Sequence, residues 1–377
     1  MFIYLDNSAT TKVKESVAET MVNAMTKDFG NPSSLHRLGL NAEKIVKESR
    51  AILAKALNAS PEEIYFTSCG TESDNTVVKG VWEAKKKQGK RIITTQVEHP
   101  AILEPTKWCE AQGADVVYLP VDKNCQISLE DLKSALTEDT ILVSVMHVNN
   151  EVGSIMPIKE IAEYVHSHSK ALVHTDAVQS FGKIDTDVKE LGVDFLSISG
   201  HKIHGPKGIG ALYVKKGIHI PSFMLGGGQE SGFRSGTESV PLIAGLGEAV
   251  RTLKRPDGEA KSYLEKRIAE CFGDTVKINT PEISAPSVLN VSFLDCRGEV
   301  LLHMLEENEI YVSTGSACSS NKKKKGSHVL NAMGLKPEEV EGAIRFSFSE
   351  DNTKEEMDKV VEVLLEVVNK HRKLMKR

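Results

Sequence analysis

Short apolar runs alternate with segments of helical periodicity between residues 63 and 214. The short runs are rich in β-branched residues, as in EIYFTS at 63–68 and TILVSVMHV at 140–148. Between the runs lie segments such as 101–112 and 158–168, whose apolar residues recur at helical spacing. Runs of this kind are typical of strands that are buried on both faces of a sheet. The pattern predicts an α/β fold with a mostly parallel central sheet and helices on both faces.

The same pattern places each element. The predicted strands are 63–68, 91–97, 114–121, 140–148, 171–176, 194–199 and 208–214, and the predicted helices are 71–87, 101–112, 128–136 and 158–168. The third helix begins with Ser128, and Asp131 follows three residues later, which indicates a capping pair.

The composition changes at 251–260, RTLKRPDGEA, which is charged and contains a proline and a glycine. Such a segment indicates a domain boundary. We expect a large domain at 15–255 and a smaller α+β domain formed by 1–14 and 256–377. The smaller domain contains predicted strands at 287–293 and 343–349, a helix at 299–307, and a last helix that begins at Thr353 with Glu356 as its capping partner. The apolar stripe of that helix is expected to be core: Met357, Val360, Val361, Leu364, Val367 and Val368.

Composition excludes several classes of protein. The 377 residues are 40% hydrophobic and 26% charged, with a net charge of −5, so no basic field favours nucleic acid as a partner. The chain has no run of 18 apolar residues and does not begin like a signal peptide, so we expect a cytoplasmic protein without a membrane span. The six cysteines form no CxxC pair, and the two close histidine pairs lack further ligands at zinc spacing, so we expect reduced thiols and no metal.

Polar and reactive residues follow five successive predicted strands. They are Gly70-Thr71, Glu98-His99, Asn149-Asn150-Glu151, Asp176 with Gln179, and Ser199-Gly200-His201-Lys202. In an open parallel sheet, ligands bind beyond the carboxyl ends of the strands. We therefore expect these five sets of residues to meet at one edge of the sheet.

The set fits a ligand that has a phosphate, a protonated ring nitrogen and an aldehyde. Asp176 offers a carboxylate to the ring nitrogen, His99 offers a flat face, and Lys202 offers an amine that can form a Schiff base. Donors for the phosphate come from Gly70, Thr71, Ser199 and His201. These features predict pyridoxal 5′-phosphate (PLP) as the cofactor.

Each of these residues also has an ordinary explanation when it is taken alone. Asp176 and Thr71 could be helix caps. His99 could be a hydrogen-bonded structural histidine, and Lys202 could be a solvated amine. The cofactor hypothesis is preferred because it accounts for all of them at a single edge.

The motifs that surround these residues resemble the cysteine desulfurases, the NifS/IscS-like branch of the class V aminotransferases. The similarity runs nearly from end to end, in YLDNSATT (4–11), FGNPSS (29–34), FTSCGTESDN (66–75), EHPAI (98–102), MHVNNEVG (146–153), HTDAVQS (174–180), SGHKIHGPKGIGALYV (199–214), GFRSGT (232–237), STGSAC (313–318) and IRFS (344–347). The resemblance implies a PLP-dependent transferase of fold type I.

The resemblance also implies a role for each matching position. Lys202 would hold PLP and act as base, and His99 would stack on the ring and serve as acid or base. Asp176 would pair with the pyridine nitrogen and Gln179 with the ring hydroxyl. Further cofactor contacts would come from Gly70, Thr71, Asn150, Ser199, Gly200 and His201, and from Thr237 of the other subunit of a homodimer. Arg345, together with Asn150, would bind the substrate carboxylate.

The resemblance makes Cys318 the sulfur acceptor. Thiolates are strong nucleophiles, so Cys318 would attack the substrate sulfur as L-cysteine is converted to L-alanine, and it would keep that sulfur as a persulfide. A mobile loop at about 313–328 would carry this thiol. A sulfur-accepting protein, such as an iron–sulfur scaffold or a tRNA-thiolation enzyme, would receive the sulfur. The run Lys322–Lys325 is either an ordinary solvated run or an aid that favours thiolate and attracts an acidic partner.

Some positions depart from the family. Cys69 stands where glycine is common, His204 stands where tyrosine is usual, and the lysine run is not a standard feature. These departures leave the identity of the acceptor open.

Three alternatives remain. A selenocysteine lyase or another class V PLP enzyme would need no thiol in a mobile loop, so Cys318 argues against it. A catalytically inactive relative that serves as a scaffold would not need both Lys202 and Cys318. A nucleotide-binding protein that uses the glycines at 226–228 is disfavoured, because these glycines do not follow a strand into a helix.

Overall fold

The strands assemble into three sheets in this computed structural model, which describes residues 1–314 and 326–375. Within these ranges the strands are β1 (Ile3–Tyr4), β2 (Ile64–Thr67), β3 (Arg91–Thr95), β4 (Asp115–Leu119), β5 (Thr140–Ser144), β6 (Leu172–Asp176), β7 (Phe195–Ser199), β8 (Gly210–Val214), β9 (Val276–Ile278), β10 (Val288–Phe293), β11 (Ile310–Tyr311) and β12 (Ala343–Ser347). The α-helices are α1 (Glu15–Thr26), α2 (Arg37–Leu57), α3 (Gly70–Lys85), α4 (Pro100–Ala111), α5 (Leu129–Ala135), α6 (Ile158–His168), α7 (Val188–Leu191), α8 (Val240–Arg251), α9 (Glu259–Phe272), α10 (Gly298–Glu306), α11 (His328–Ala332), α12 (Pro337–Glu341) and α13 (Lys354–Met375).

The largest sheet has seven strands in the order β2-β8-β7-β6-β5-β3-β4. Strands β7, β6, β5, β3 and β4 are parallel to one another, whereas β8 is antiparallel to both β2 and β7. Only residues 200–209 connect β7 to β8, and a parallel pair needs a crossover of a dozen or more residues. The predicted α/β class with a mostly parallel sheet is confirmed, and the short connection explains its one reversed strand.

Both faces of this sheet are covered. On β3, Ile92 and Ile93 are fully buried but belong to two different apolar clusters, and on β5 Leu142 and Val143 divide in the same way. Successive side chains of a strand point to opposite faces. The two clusters are therefore the cores between the sheet and its two layers of helices, which is why the strands are apolar throughout.

The antiparallel sheet β12-β10-β9 forms a second centre of packing with α9, α10 and α13. The apolar stripe of α13 is buried in its core, as predicted, together with Ile3 and Leu5 from the start of the chain. Thr353 and Glu356 form the predicted capping pair, because the backbone N–H of each donates to the side chain of the other, at 3.1 and 3.3 Å.

The first helices, α1 and α2, and helix α8 were not predicted. Helix α8 has glycines inside it, which are poor helix formers. A Cβ at Gly245 would lie 2.9 Å from Met21 Sδ of α1, and a Cβ at Gly247 would lie 2.7 Å from Ser49 Oγ of α2. These glycines therefore permit close helix packing, which local sequence does not reveal.

The division into 15–255 and 1–14 with 256–377 stays a prediction. Residues Val329, Leu330 and Met333, beyond the expected boundary, pack in the same cluster as the helices of the large sheet. None of the helices in the described part of the chain combines the length and the apolarity that crossing a membrane requires.

Candidate active site

The carboxyl ends of the parallel strands open onto a cavity of about 210 Å³. It is lined by Ser8, Cys69, Gly70, Thr71, Asp74, His99, Met146, Val148, Asn150, Asp176, Val178, Gln179, Ser199, His201, Lys202 and Arg345. All five sets of residues that were predicted to meet at one sheet edge contribute to it. The predicted strand 140–148 ends at Ser144 instead, and Met146 and Val148 leave the sheet to line the cavity.

One end of the cavity has hydrogen-bond donors that suit an anion. Helix α3 begins there at Gly70, and the N–H groups of a first helical turn have no acceptor within the helix. A Cβ at Gly70 would lie 2.7 Å from Val178 Cγ2, so only glycine fits. Ser199 Oγ is buried and has no hydrogen-bond partner among the described residues. A phosphate would supply the missing acceptor.

Asp176, at the end of β6, is a buried carboxylate. Burial raises its pKa, and a 2.8 Å hydrogen bond from the backbone N–H of Val178, with the charge of Lys202, offsets part of this effect, leaving a pKa of about 6. Asp74 of α3 also lines the cavity, and burial together with the charge of Asp176 raises its pKa. A protonated ring nitrogen would compensate the buried negative charge of Asp176.

His99 caps helix α4. Its Nδ1 accepts a hydrogen bond from the backbone N–H of Ala101 at 3.1 Å, which puts the proton on Nε2. Burial and the charges of Lys202 and His328 lower the pKa of His99 to about 4. The ring is therefore neutral at neutral pH and can both stack and donate a hydrogen bond from Nε2.

Lys202 is held by the N-terminal segment of the chain. Its Nζ donates to the carbonyl oxygens of Ser8 at 2.6 Å and Ala9 at 2.8 Å. The adjacent His201 contacts Thr10 Oγ1 through Nδ1 at 3.2 Å, and burial with the charge of Lys202 lowers its pKa to about 4. The lysine amine is thus fixed at the cavity wall by backbone acceptors that carry no charge.

Arg345 lies on β12, in the antiparallel sheet β12-β10-β9, and lines the cavity. Its NH1 donates to the carbonyl oxygen of Asn150 at 3.0 Å, and its NH2 donates to Asp6 Oδ1 at 2.9 Å. The residue is 2% exposed, and its Nε has no partner among the described residues. These bonds use two of the five N–H donors of the guanidinium, and Nε–H is among those that remain for an anionic substrate group.

Some predicted site residues lie elsewhere. Gly200 is buried behind the cavity, where a Cβ would lie 2.9 Å from Ile209 Cγ2. Thr237 lines a different pocket, beside Arg234. Cys318 and Lys322–Lys325 lie outside the described residues. His204 does not line the cavity: its φ is 62°, and its Nε2 contacts Glu350 at 3.1 Å.

Sequence reasoning missed four contributors. The carbonyls of Ser8 and Ala9 act through the backbone, so no side-chain pattern could reveal them. Asp6 and Asp74 lie in motifs that the sequence analysis quoted, but only the structure shows that one pairs with Arg345 and the other reaches the cavity.

No group of three or more metal-ligating side chains occurs within residues 1–314 and 326–375.

Comparison with known proteins identifies the family. The Aminotransferase class-V family model matches residues 3–360. The chain belongs to this family. A cysteine desulfurase IscS of Methanosarcina thermophila is 44% identical over 378 residues, covering 99% of this chain and 93% of the relative. A solved NifS-like protein has a TM-score of 0.91 at 41% identity, covering 98% of this chain and all of the other.

A second solved structure, described as SspA in complex with cysteine, has a TM-score of 0.84 at 35% identity. The alignment covers 93% of this class-V chain and all of that chain. These similarities place the chain among the NifS/IscS-like cysteine desulfurases, as the sequence motifs predicted.

Proposed function

We propose that this protein is a PLP-dependent cysteine desulfurase that converts L-cysteine to L-alanine and leaves the sulfur as a persulfide on Cys318. The observation that carries the proposal is one cavity that holds an amine, a buried carboxylate and a helix N-terminus, Lys202, Asp176 and Gly70. The relatives named cysteine desulfurase cover almost the whole chain, which supports the same reaction.

The residues fit the four polar parts of PLP. The N-terminus of α3 and the unpartnered hydroxyl of Ser199 suit the phosphate. Asp176 suits the protonated pyridine nitrogen, and the amine of Lys202 suits the aldehyde carbon. Gln179, which is 6% exposed, suits the ring hydroxyl. PLP, when bound, supplies an electron sink that lets bonds at the substrate Cα and Cβ break.

The protein side chains orient the substrate and move its protons. Arg345 binds the substrate carboxylate with the guanidinium N–H donors that its bonds to Asp6 and Asn150 leave, while those two residues hold the guanidinium in place. Lys202 takes and returns protons near the substrate Cα. His99 is neutral because its pKa is about 4, and since its Nδ1 already accepts from the backbone, it offers the substrate a hydrogen-bond donor at Nε2–H.

The thiol of Cys318 receives the substrate sulfur. It attacks that sulfur as a thiolate, the S–S bond forms as the Cβ–S bond breaks, and the electron pair stays with the substrate, whose Cβ takes up a proton before alanine leaves. Described residues on both sides of Cys318 are held close to the cavity. Ser313 exchanges backbone hydrogen bonds with Arg345 at 3.1 and 2.7 Å, and Ser327 donates to the buried Glu151. On that same side, His328 Nε2 contacts the carbonyl oxygen of Glu98 at 3.0 Å.

We further propose a homodimer in which Thr237 completes the phosphate site of the other subunit. Support comes from large apolar side chains that are exposed in the single chain, since extended apolar surface often marks an interface. They cluster in two segments: Val22, Met25, Phe29, Leu35, Leu38 and Leu40, and Phe223, Met224 and Leu225.

The persulfide would pass to a sulfur-accepting protein, such as an iron–sulfur scaffold or a tRNA-thiolation enzyme. The cysteines that the structure describes, Cys69, Cys109, Cys125, Cys271 and Cys296, are free thiols. Reduced thiols fit the cytoplasm, where we place the reaction.

The test compares three variants of the holoenzyme given L-cysteine, with alanine and protein persulfide measured. Cys318→Ser should keep the yellow colour and form neither persulfide nor sulfide. Lys202→Ala should lose the chromophore that borohydride fixes to the chain. Cys271→Ser, which removes an exposed thiol, should behave as wild type.

Full turnover of cysteine by Cys318→Ser would contradict the persulfide step. If that variant instead released selenium from selenocysteine at the wild-type rate, the protein would be a selenocysteine lyase. A wild-type protein that stays colourless with excess PLP would contradict the whole proposal.

A further inference from the structure

Lys183 is a buried lysine that the reaction described above does not use. It lies between β6 and α7, is 7% exposed, and its Nζ donates to Gln179 Oε1 at 2.8 Å. Burial, with the charges of Lys202 and Arg345, lowers its pKa to about 7. Burying a lysine amine beside other cations costs folding free energy. A functional role for Lys183 would explain why this costly position is occupied.

The partners of Gln179 fix the direction of its amide. Nε2 donates to the carbonyl oxygen of Ser8 at 2.9 Å, and a carbonyl can only accept. Lys183 donates to the other end of the amide, at Oε1. The orientation therefore follows from the chemistry of both partners and does not depend on how the oxygen and nitrogen were assigned.

The remaining hydrogen on Nε2 is the donor that the amide can offer to the cavity, which Gln179 lines. Ser8 also links this amide to Lys202, because its carbonyl oxygen accepts from Lys202 Nζ at 2.6 Å as well. A continuous chain of hydrogen bonds thus runs from Lys183 through Gln179 and Ser8 to Lys202.

We propose that Lys183 is a positioning residue that locks the Gln179 amide so that it presents an N–H donor, rather than its oxygen, to the ring oxygen of the cofactor. The proposal rests on the proposed function, since it assumes PLP in the cavity. Lys183 acts through Gln179 and does not itself touch the substrate. Without Lys183, Oε1 is left buried without its donor and the amide is held at one end alone.

The experiment compares the holoenzyme forms of Lys183→Met, Lys183→Arg and Lys261→Met. Lys261 is the matched control: it is also 7% exposed and donates to Ser284 and Ala285, but it does not line the cavity. Visible absorption, PLP dissociation on dilution and the free energy of unfolding are measured for each. Lys183→Met should alter the visible spectrum and hold PLP about 10-fold more weakly, the equivalent of one hydrogen bond.

Lys183→Arg keeps a donor and should restore the wild-type spectrum. Lys261→Met should lower the free energy of unfolding and leave the spectrum unchanged. A wild-type spectrum and wild-type PLP dissociation in Lys183→Met would overturn the inference and leave the proposed function intact. A wild-type protein without a visible band would overturn both.

A double-mutant cycle keeps the test decisive if Lys183→Met alone folds poorly. In a Gln179→Leu background, Lys183→Met no longer leaves an amide oxygen buried without a donor. If Lys183 acts through Gln179, the double variant should have the spectrum of Gln179→Leu alone. A further spectral change in the double variant would show that Lys183 acts on the cofactor by another route, against the proposal.

Discussion

The cavity edge of the large sheet and the core of the small sheet are both buried, but they are built from opposite kinds of residue. The edge contains ionisable groups such as Asp176 and Glu98, whose pKa values burial raises to about 6 and about 8. The small-sheet core contains Phe293, Phe346 and Leu301, each 0% exposed. Burying these ionisable groups therefore costs folding free energy at the cavity edge, whereas burying the apolar side chains stabilises the core of the small sheet.

The difference shows how the site is maintained. Phe272 and Phe293 pack edge to face with ring centroids 5.5 Å apart, and a buried side chain of this size contributes about 1.5–3 kcal/mol. The same sheet presents Arg345 to the cavity from β12. The apolar core therefore offsets the cost of holding charged groups out of water. The three predictions that follow test this contrast.

The largest effect on stability is expected from Phe293→Ala. Removing a fully buried phenylalanine should lower the free energy of unfolding by about 3–5 kcal/mol, measured by urea denaturation. The folded fraction should keep the wild-type visible spectrum. Phe2→Ala is the control, because Phe2 is 63% exposed and its loss should change stability by about 0.5 kcal/mol or less. If Phe293→Ala lowered the free energy of unfolding by less than about 1 kcal/mol, the small-sheet core would not be the stabilising region that the contrast requires.

Asp176→Asn should have the next largest effect, and it should fall on turnover. Losing the charge that would face the ring nitrogen of the proposed cofactor should reduce kcat by about 10²–10³-fold. The free energy of unfolding without cofactor should stay unchanged or rise, since a buried charge is removed. Asp139→Asn, at an exposed position, is the control for both measurements. A variant with normal kcat and lowered stability would assign Asp176 a structural role instead.

Glu350→Gln tests the contact between the two regions and should have the smallest effect. Glu350 follows β12 and pairs with Lys14 at 2.7 Å and His204 at 3.1 Å. Burial raises its pKa, but hydrogen bonds from His204 and Lys14 outweigh burial and lower it to about 2. A carboxylate whose pKa is lowered by folding stabilises the protein above its unfolded pKa of roughly 4.3.

The stability lost in Glu350→Gln should therefore be constant above about pH 5, at about 1–2 kcal/mol, and should vanish as the pH falls toward 2. Urea denaturation at several pH values measures this difference. Glu309→Gln is the control, since its side chain is 62% exposed. A loss that is the same at pH 2.5 and pH 7 would show that packing, and not charge, is what Glu350 supplies.

Sequence alone predicted the residues that a strand delivers to the cavity. Asp176 ends β6 and Ser199 ends β7, and the ends of neighbouring parallel strands must meet, so their proximity follows from order along the chain. Helix α6, Ile158–His168, was predicted at its observed bounds because its apolar periodicity is strong.

What escaped prediction depends on tertiary packing. A lysine such as Lys183 is usually solvated, and only the folded chain shows it buried against an amide. The glycines of α8 looked unfavourable for a helix until α1 and α2 were seen packed against them. The direction of β8 could have been predicted from the ten residues that precede it, because they are too few for a crossover.

The hydrogen bonds that Asp6 and Ser8 make near the N-terminus have a consequence for biosynthesis. The bond between Asp6 and Arg345 joins residues 339 positions apart, and the bond between Ser8 and Lys202 joins residues 194 positions apart. Contacts of such high contact order carry a large loop-closure entropy and form slowly. On the ribosome, the segment around Asp6 must wait until Arg345 has been translated and released from the exit tunnel. A nascent chain that already holds every residue of the parallel sheet therefore still lacks a finished substrate pocket.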